Sequence, residues 1–216
     1  MVTIYGVYRS RASRNLWLAG EIGLPVEHVP VTQAYRLPNP DAADAPVHTR
    51  SAAFLAVNPN GRIPAMKDGE LVLCESLAIN LYLAKKYGGA LGPRDVPEDA
   101  LMTQWAIWAM TEAEPHTIQI LYNATGNPNA DASKRDAAIG ALRQPLAVLD
   151  AALAKDGFLV GGRFTVADIN TAEVIRYAAP AAALFDAAPH VKAWLAACHA
   201  RPAFKAMMAA REQEPA

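Results

Sequence analysis

Apolar positions fall in two rhythms along this chain, first the short runs of strands and then the three-to-four residue period of helices. Residues 2–7 (VTIYGV) have the β-branched and aromatic content of a buried first strand. Leu16, Trp17, Leu18 and Ile22 follow at helical spacing until Gly23 and Pro25 stop them, and residues 26–31 read as a second strand. Residues 32–50 then turn to Pro, Asn, Asp and Ala, a loop long for a compact domain and of the kind that is commonly functional. A short helix is expected over 51–57. Two short apolar strands, 63–66 and 71–73, are joined through Asp68-Gly69, a pair that tolerates the positive φ of a hairpin turn. The second runs straight into Glu75-Ser76, after which Leu77, Leu81 and Ala84 mark a helical face. Ser76 stands where that helix needs an N-cap, and a helix N-terminus leaves backbone donors able to hold an anion. Pro64 cannot donate a ladder hydrogen bond, which frees a strand edge for a ligand.

Residues 88–97 are rich in Gly and Pro, and beyond them only the helical period remains. A long aromatic-rich helix over 100–121, with Trp105 and Trp108, should kink at Pro115. Leu142, Leu146, Leu149 and Leu153 repeat at helical spacing around Pro145. Thr165 and Asp168 have the spacing of a capping box, with Phe164 placed for a hydrophobic staple against Ile169. Helices around 191–198 and 203–210 finish the chain. The division expected is an α/β domain over 1–87, a linker over 88–97 and an all-helical domain over 98–216.

With 216 residues, 52% of them hydrophobic, the chain can bury a large core. A formal net charge of -1 gives no reason to expect nucleic acid or an anionic membrane as partner. No basic segment with an apolar run opens the chain and no uninterrupted apolar span approaches 18 residues, so a soluble cytoplasmic protein is expected. Cys74 and Cys198 lie far apart without metal or redox spacing; two reduced thiols and no metal site are expected.

The run NPNGRIP (58–64), followed by a hairpin and then ESLAINLYL (75–83), resembles the glutathione-binding half of the cytosolic glutathione transferases. The capped stretch at Thr165 resembles a hallmark of that family's second domain, so the likeness covers nearly the whole chain. It implies a thioredoxin-like first domain followed by an all-α helical bundle. It also implies a cis bond before Pro64, a cysteinyl backbone of glutathione paired with Ile63, and the γ-glutamyl end held by Glu75 and Ser76. The segment SRASRNLWLAGEIGLP (10–25) resembles the serine-type bacterial and fungal transferases, with some zeta-like features. Ser10 matches the active-site serine of that pattern and Arg11 the arginine beside it; register leaves Ser13 as the alternative, and Tyr8 is a further hydroxyl that lies early.

A thiol of pKa about 8.5 is only a few per cent thiolate at neutral pH, and lowering it two units takes roughly 2.7 kcal/mol. One charge-assisted hydrogen bond, about 1.5–3 kcal/mol, together with a helix N-terminus suffices. That is why a hydroxyl is wanted just before the first helix. The carboxylates of glutathione need cations, and His48, Arg50 and Arg62 lie in loops the fold brings toward the glycyl end. A small apolar electrophile is expected against the long helix, near Met102, Trp108 and His116, with Tyr8 opposite; one or more of the tryptophans is expected to be core. The resemblance implies a glutathione transferase, with glutathione as co-substrate and a homodimeric assembly. Glutathione-dependent disulfide or peroxide reduction, maleyl-type isomerisation, and glutathione binding without turnover are the alternatives.

Overall fold

The computed structural model describes residues 1–214 and divides the chain into two compact units. The first comprises Met1–Gly89 together with the chain's last segment, from Pro202 onward; the second is Ala90–Arg201.

The first unit is a four-stranded sheet in the order β2-β1-β3-β4. Strand β1 (Val2–Tyr5) pairs parallel with β2 (Val26–Val29) and antiparallel with β3 (Ala65–Asp68), which pairs antiparallel with β4 (Leu71–Cys74). Helix α1 (Ala12–Glu21) makes the crossover between β1 and β2, the short α2 (Ala52–Leu55) precedes β3, and α3 (Ser76–Tyr87) follows β4. This is the βαβ-then-αββα order expected of a thioredoxin-like domain. Strand β1 stops at Tyr5, short of the expected residue 7, before Gly6 with its positive φ, and proline shifts the bounds of two further strands. Pro30 ends β2 at Val29, and β3 begins only after Pro64, since neither ring has an N–H for the ladder. The buried face of α3 carries Leu77, Ile79, Asn80, Leu83 and Ala84, so an asparagine takes a place the apolar pattern had given to Leu81.

The last helix, α11 (Pro202–Gln213), was expected to close the helical bundle. It packs on α1 in the first unit instead. Trp17 and Phe204 meet edge to face with ring centroids 4.9 Å apart, and a Cβ at Gly20 would stand 3.3 Å from that of Ala203. An amphipathic helix is placed by the complementary surface it finds, which its own period does not disclose.

In the second unit α4 (Val96–Trp108) is capped by Asp95, whose carboxylate accepts from the Glu98 amide at 2.9 Å. The expected break at Pro115 takes the form of a π-helical turn over Ala109–Ala113, after which α5 (Glu114–Ala124) continues. Widening the turn absorbs the carbonyl that the proline cannot serve. Helices α6 (Ala132–Ala141) and α7 (Arg143–Asp156) follow, and Leu142, Leu146, Leu149 and Leu153 are all buried. Pro145 falls in the first turn of α7, where no N–H is needed. The stretch Ala132–Asp156 is long and apolar enough to cross a membrane by length and composition alone. Arg143 and Asp150 interrupt it, and its leucine face is core.

Helix α8 (Val166–Ile175) is buried along its whole length. Its capping box forms as expected, and Asp168 does more than cap. One carboxylate oxygen accepts from the Thr165 amide at 2.8 Å, and the other from the Leu159 amide at 3.1 Å and Trp194 Nε1 at 2.9 Å. Burial outweighs these donors and pushes the carboxyl up to about 6. Phe164 packs beside Phe158, with the Arg201 guanidinium 3.7 Å over its ring. Short α9 (Ala183–Asp186) and α10 (Pro189–Ala200) complete the unit.

Candidate active site

The site in the first unit is built where three segments converge: the β1–α1 turn, the loop entering β3, and the start of α3. Gly6 makes the approach possible. Its φ is +144°, and a Cβ there would stand 2.8 Å from that of Ala12, 3.4 Å from that of Ile63 and 3.7 Å from Ser10 Oγ. Ser10 and Ile63 thus both border the space left open by one glycine, whose carbonyl accepts from His28 Nε2 at 2.6 Å.

Ser10 lies half-buried immediately before α1. Its hydroxyl donates to the Val7 carbonyl at 2.6 Å, and its oxygen accepts the Ala12 amide at 3.0 Å. The second contact is a local turn, the amide two residues on donating to the hydroxyl oxygen, at the entry to α1, whose N-cap is Arg11. Arg11 beside it is exposed. Ser13 is entirely buried, because α1 begins at Ala12 and its next residues all turn inward. Of the two serines, only Ser10 offers a hydroxyl to a ligand.

The loop before β3 is tied by Asn58, itself 1% exposed. Its side-chain amide donates to the Arg62 carbonyl at 2.6 Å, and its side-chain oxygen accepts the Asn60 amide at 3.1 Å. Gly61 has φ +58° and passes so close to the Thr49 carbonyl that a Cβ would sit 2.9 Å from it. Held this way, the chain presents exposed Arg62 and half-buried Ile63, and the Ile63-Pro64 bond is cis.

Glu75 is the non-glycine residue with positive φ, at +68°, among those described. Its carboxylate side chain is exposed, while Ser76 behind it is buried. A strained backbone that points a carboxylate outward is what a ligand clamp retains. Beneath it lies a network absent from the sequence reading. Fully buried Arg14 donates through its guanidinium to Ser76 Oγ at 3.1 Å, and Asn15 donates to the Ser76 carbonyl at 2.8 Å and to Asn80 Oδ1 at 2.7 Å. Asn80 in turn donates to the Arg14 carbonyl at 3.1 Å. This brace fixes the first turn of α3 against that of α1. The available signal was polar residues at core phase, Asn15 in α1 and Asn80 in α3.

The expected cation cluster is uneven. His48 is 6% exposed, and its Nδ1 accepts the Arg50 amide at 3.1 Å, which leaves Nε2 as the ring's donor. Arg50 is exposed and lies 3.6 Å from exposed Asp41, a pairing that solvent weakens.

Among the expected electrophile residues, Tyr8 lines a cavity of about 440 Å³ with Leu16, Gly20, Ala203 and Met207. Burial, with Glu214 nearby, raises its phenol above the ordinary value, so the group stays a neutral donor. In the helical unit Trp108 and His116 are half-buried. Met102 is wholly buried, on the same helical face as buried Ala106 and Ala109, and is a core side chain with no surface for a substrate. Trp105 is core too, at 7% exposure, edge to face with Trp108. Among the described residues Cys74 and Cys198 form no disulfide, and no group of three or more metal-binding side chains occurs.

Residues 4–91 match the family model described as glutathione S-transferase, N-terminal domain, and residues 100–202 match glutathione S-transferase, C-terminal domain. Glutathione S-transferase 3 of Zea mays is 36% identical over 96% of this chain and 93% of its own length. Among solved structures, glutathione transferase F7 from Populus trichocarpa superposes with a TM-score of 0.82 at 29% identity, over 98% of this chain and 99% of that one. The theta class glutathione S-transferase from the citrus canker pathogen Xanthomonas axonopodis pv. citri, with glutathione bound, gives 0.79 at 32% identity, over 95% of each chain.

Proposed function

The chain belongs to the glutathione S-transferase family, and we propose that Ser10 is the hydroxyl that holds the glutathione sulfur as thiolate. The enzyme is a glutathione transferase that conjugates glutathione to a second substrate. The observation that carries the assignment of Ser10 is its place: a hydroxyl at the entry to α1, 3.7 Å from the point where a Gly6 Cβ would stand, with Ile63 Cβ 3.4 Å from the same point. Ile63 pairs with the cysteinyl backbone in this reading, which delivers the sulfur toward Ser10. The hydroxyl proton now directed at Val7 turns to the sulfur, while the Ala12 amide stays on the serine oxygen and polarises it.

Glu75 receives the γ-glutamyl ammonium and Ser76 its carboxylate, the latter at the N-terminus of α3. His48 and Arg62 face the glycyl carboxylate, with Arg50 contributing charge from the rim. Arg11 is exposed beside Ser10 and adds positive potential there. Ser13, being buried, supports the helix and takes no part in binding. The relatives are plant and bacterial glutathione transferases, and the zeta-like features are not carried further.

The second substrate is a small apolar electrophile, with Trp108 and His116 of the helical unit as its contacts. A homodimer in the cytoplasm is the assembly proposed, on the strength of family membership.

The direct test is ultraviolet titration of the glutathione thiol in the presence of the enzyme. A thiolate band at neutral pH that is present in the parent protein and absent in Ser10→Ala supports the assignment. A thiol that ionises in the bound state as it does in water overturns it.

A further inference from the structure

The peptide that carries Ser10 is held by the far end of the chain. Tyr8 and Arg9 belong to no strand or helix, yet their backbone groups are matched by side chains. The Glu214 carboxylate accepts the Tyr8 amide through one oxygen at 2.7 Å and the Arg9 amide through the other at 2.8 Å. Arg211 donates to the Tyr8 carbonyl at 2.5 Å, and Arg36 to the Arg9 carbonyl at 3.3 Å. Arg9 returns a bond, its Nε donating to the Arg211 carbonyl at 3.2 Å. A two-residue turn clasped from both sides by one helix end is over-determined for a connection that only has to reach α1.

Resting on the assignment of Ser10 above, we propose that Glu214 is a positioning residue for catalysis, fixing the Tyr8–Arg9 backbone so that the Ser10 hydroxyl faces the sulfur. Three observations lead there. The clasp ends one residue before Ser10, so a shift of the Arg9 peptide moves Ser10 directly. Ser10 Oγ is bonded only to its own turn, at Val7 and Ala12, and among the bonds described nothing outside that turn sets its direction. Finally, α11 is seated firmly, through Phe204 on Trp17 and Ala203 against Gly20, so Glu214 is delivered from a rigid base. A hydrogen-bond donor displaced by a fraction of its bond length loses much of its preference for the thiolate, whereas substrate binding through Ile63, Glu75 and Ser76 is untouched.

The role has a kinetic signature that loss of folding would not produce. Glu214→Ala lowers kcat by about tenfold and raises the apparent ionisation midpoint of bound glutathione by about one pH unit, the same energy seen twice. KM for glutathione stays within about twofold. Glu214→Gln keeps one acceptor oxygen and falls between parent and alanine. Glu212→Ala, which removes an exposed carboxylate from the same turn, changes nothing. Because Glu214 acts through Ser10, Ser10→Ala with Glu214→Ala is no slower than Ser10→Ala alone. An unchanged midpoint and kcat in a folded Glu214→Ala overturn the proposal, as does a loss confined to thermal stability with the midpoint in place. If Ser10→Ala itself keeps the thiolate band, the parent assignment fails and takes this one with it. If Ser10→Ala loses the band and Glu214→Ala keeps it, only the positioning role falls.

Discussion

The Ser10 hydroxyl and the Val7 carbonyl lie 2.6 Å apart, so the proton proposed for the sulfur already has an acceptor in the protein's own turn. Activation is therefore an exchange of one hydrogen bond for another, and it favours the thiolate because a charged acceptor binds a donor about twice as strongly as a neutral one.

Ser10→Ala should lower turnover of a chromogenic electrophile by about 10- to 100-fold, the equivalent of one charge-assisted hydrogen bond of about 1.5–3 kcal/mol. Ser13→Ala removes a hydroxyl with no access to ligand and should leave kcat within about twofold. Steady-state assays of the two side by side decide between them. The reverse ranking would return the role to Ser13.

At Glu75 stability and binding should move in opposite directions. Glu75→Gly relieves a side chain held at φ +68° and should raise the unfolding free energy by about 1 kcal/mol, read from denaturant midpoints. The same change removes the partner for the γ-glutamyl ammonium, so glutathione affinity should fall by about tenfold or more in calorimetry. A variant that is both less stable and still tight-binding would contradict both halves.

Asp168→Ala should cost more than a lost helix cap. A cap by itself is worth about 1 kcal/mol, but the carboxylate also accepts from Leu159 and Trp194, and its removal strands buried donors. The expected loss is about 3–5 kcal/mol. Trp194→Phe, which removes one donor and keeps the ring's bulk, should cost about 1 kcal/mol. Denaturant unfolding of both variants tests the ratio.

In the helical unit Arg163 grips Glu98 with two parallel bonds, at 2.8 and 2.7 Å, and donates also to the carbonyls of Ala90 and Gly92. The guanidinium holds the Glu98 carboxyl at about 2, below its ordinary 4.5. A carboxyl lowered on folding stabilises the folded state above its unfolded pKa, and that contribution disappears as pH falls through the folded one. Glu98→Gln should thus be less stable than the parent near neutrality, with the melting curves of the two converging between about pH 4.5 and 2. Parallel curves across that window would exclude the linkage.

Much of this was readable in the residues. The missing ladder donor of Pro64 is local and was readable, whereas the cis bond before it and the loop from Asn58 to Gly61 were expected through the resemblance to the transferases. Thr165 and Asp168 announce a helix start at fixed spacing, which is a local signal too. The choice between Ser10 and Ser13 was not readable, because it depends on where α1 begins, and one residue of phase turns a serine from outside to inside. Nor was the brace of Arg14, Asn15 and Asn80, since it joins residues from helices distant in sequence. The destination of α11 was hidden for a related reason: its apolar stripe fits any apolar groove, and only the glycine at position 20, opposite Ala203, marks the one it takes.

The pairing of Trp17 with Phe204 has a consequence for synthesis. The first unit draws on two segments far apart in the chain, so the ribosome makes its sheet well before the helix α11 that covers Trp17. A nascent chain halted before Pro202 holds Trp17 without Phe204 to cover it and Tyr8 without Glu214 to fasten it. Such a chain should be cut by protease within its first unit, while one carried past Glu214 resists. Synthesis of α11 is then a condition for fastening the turn that carries Ser10.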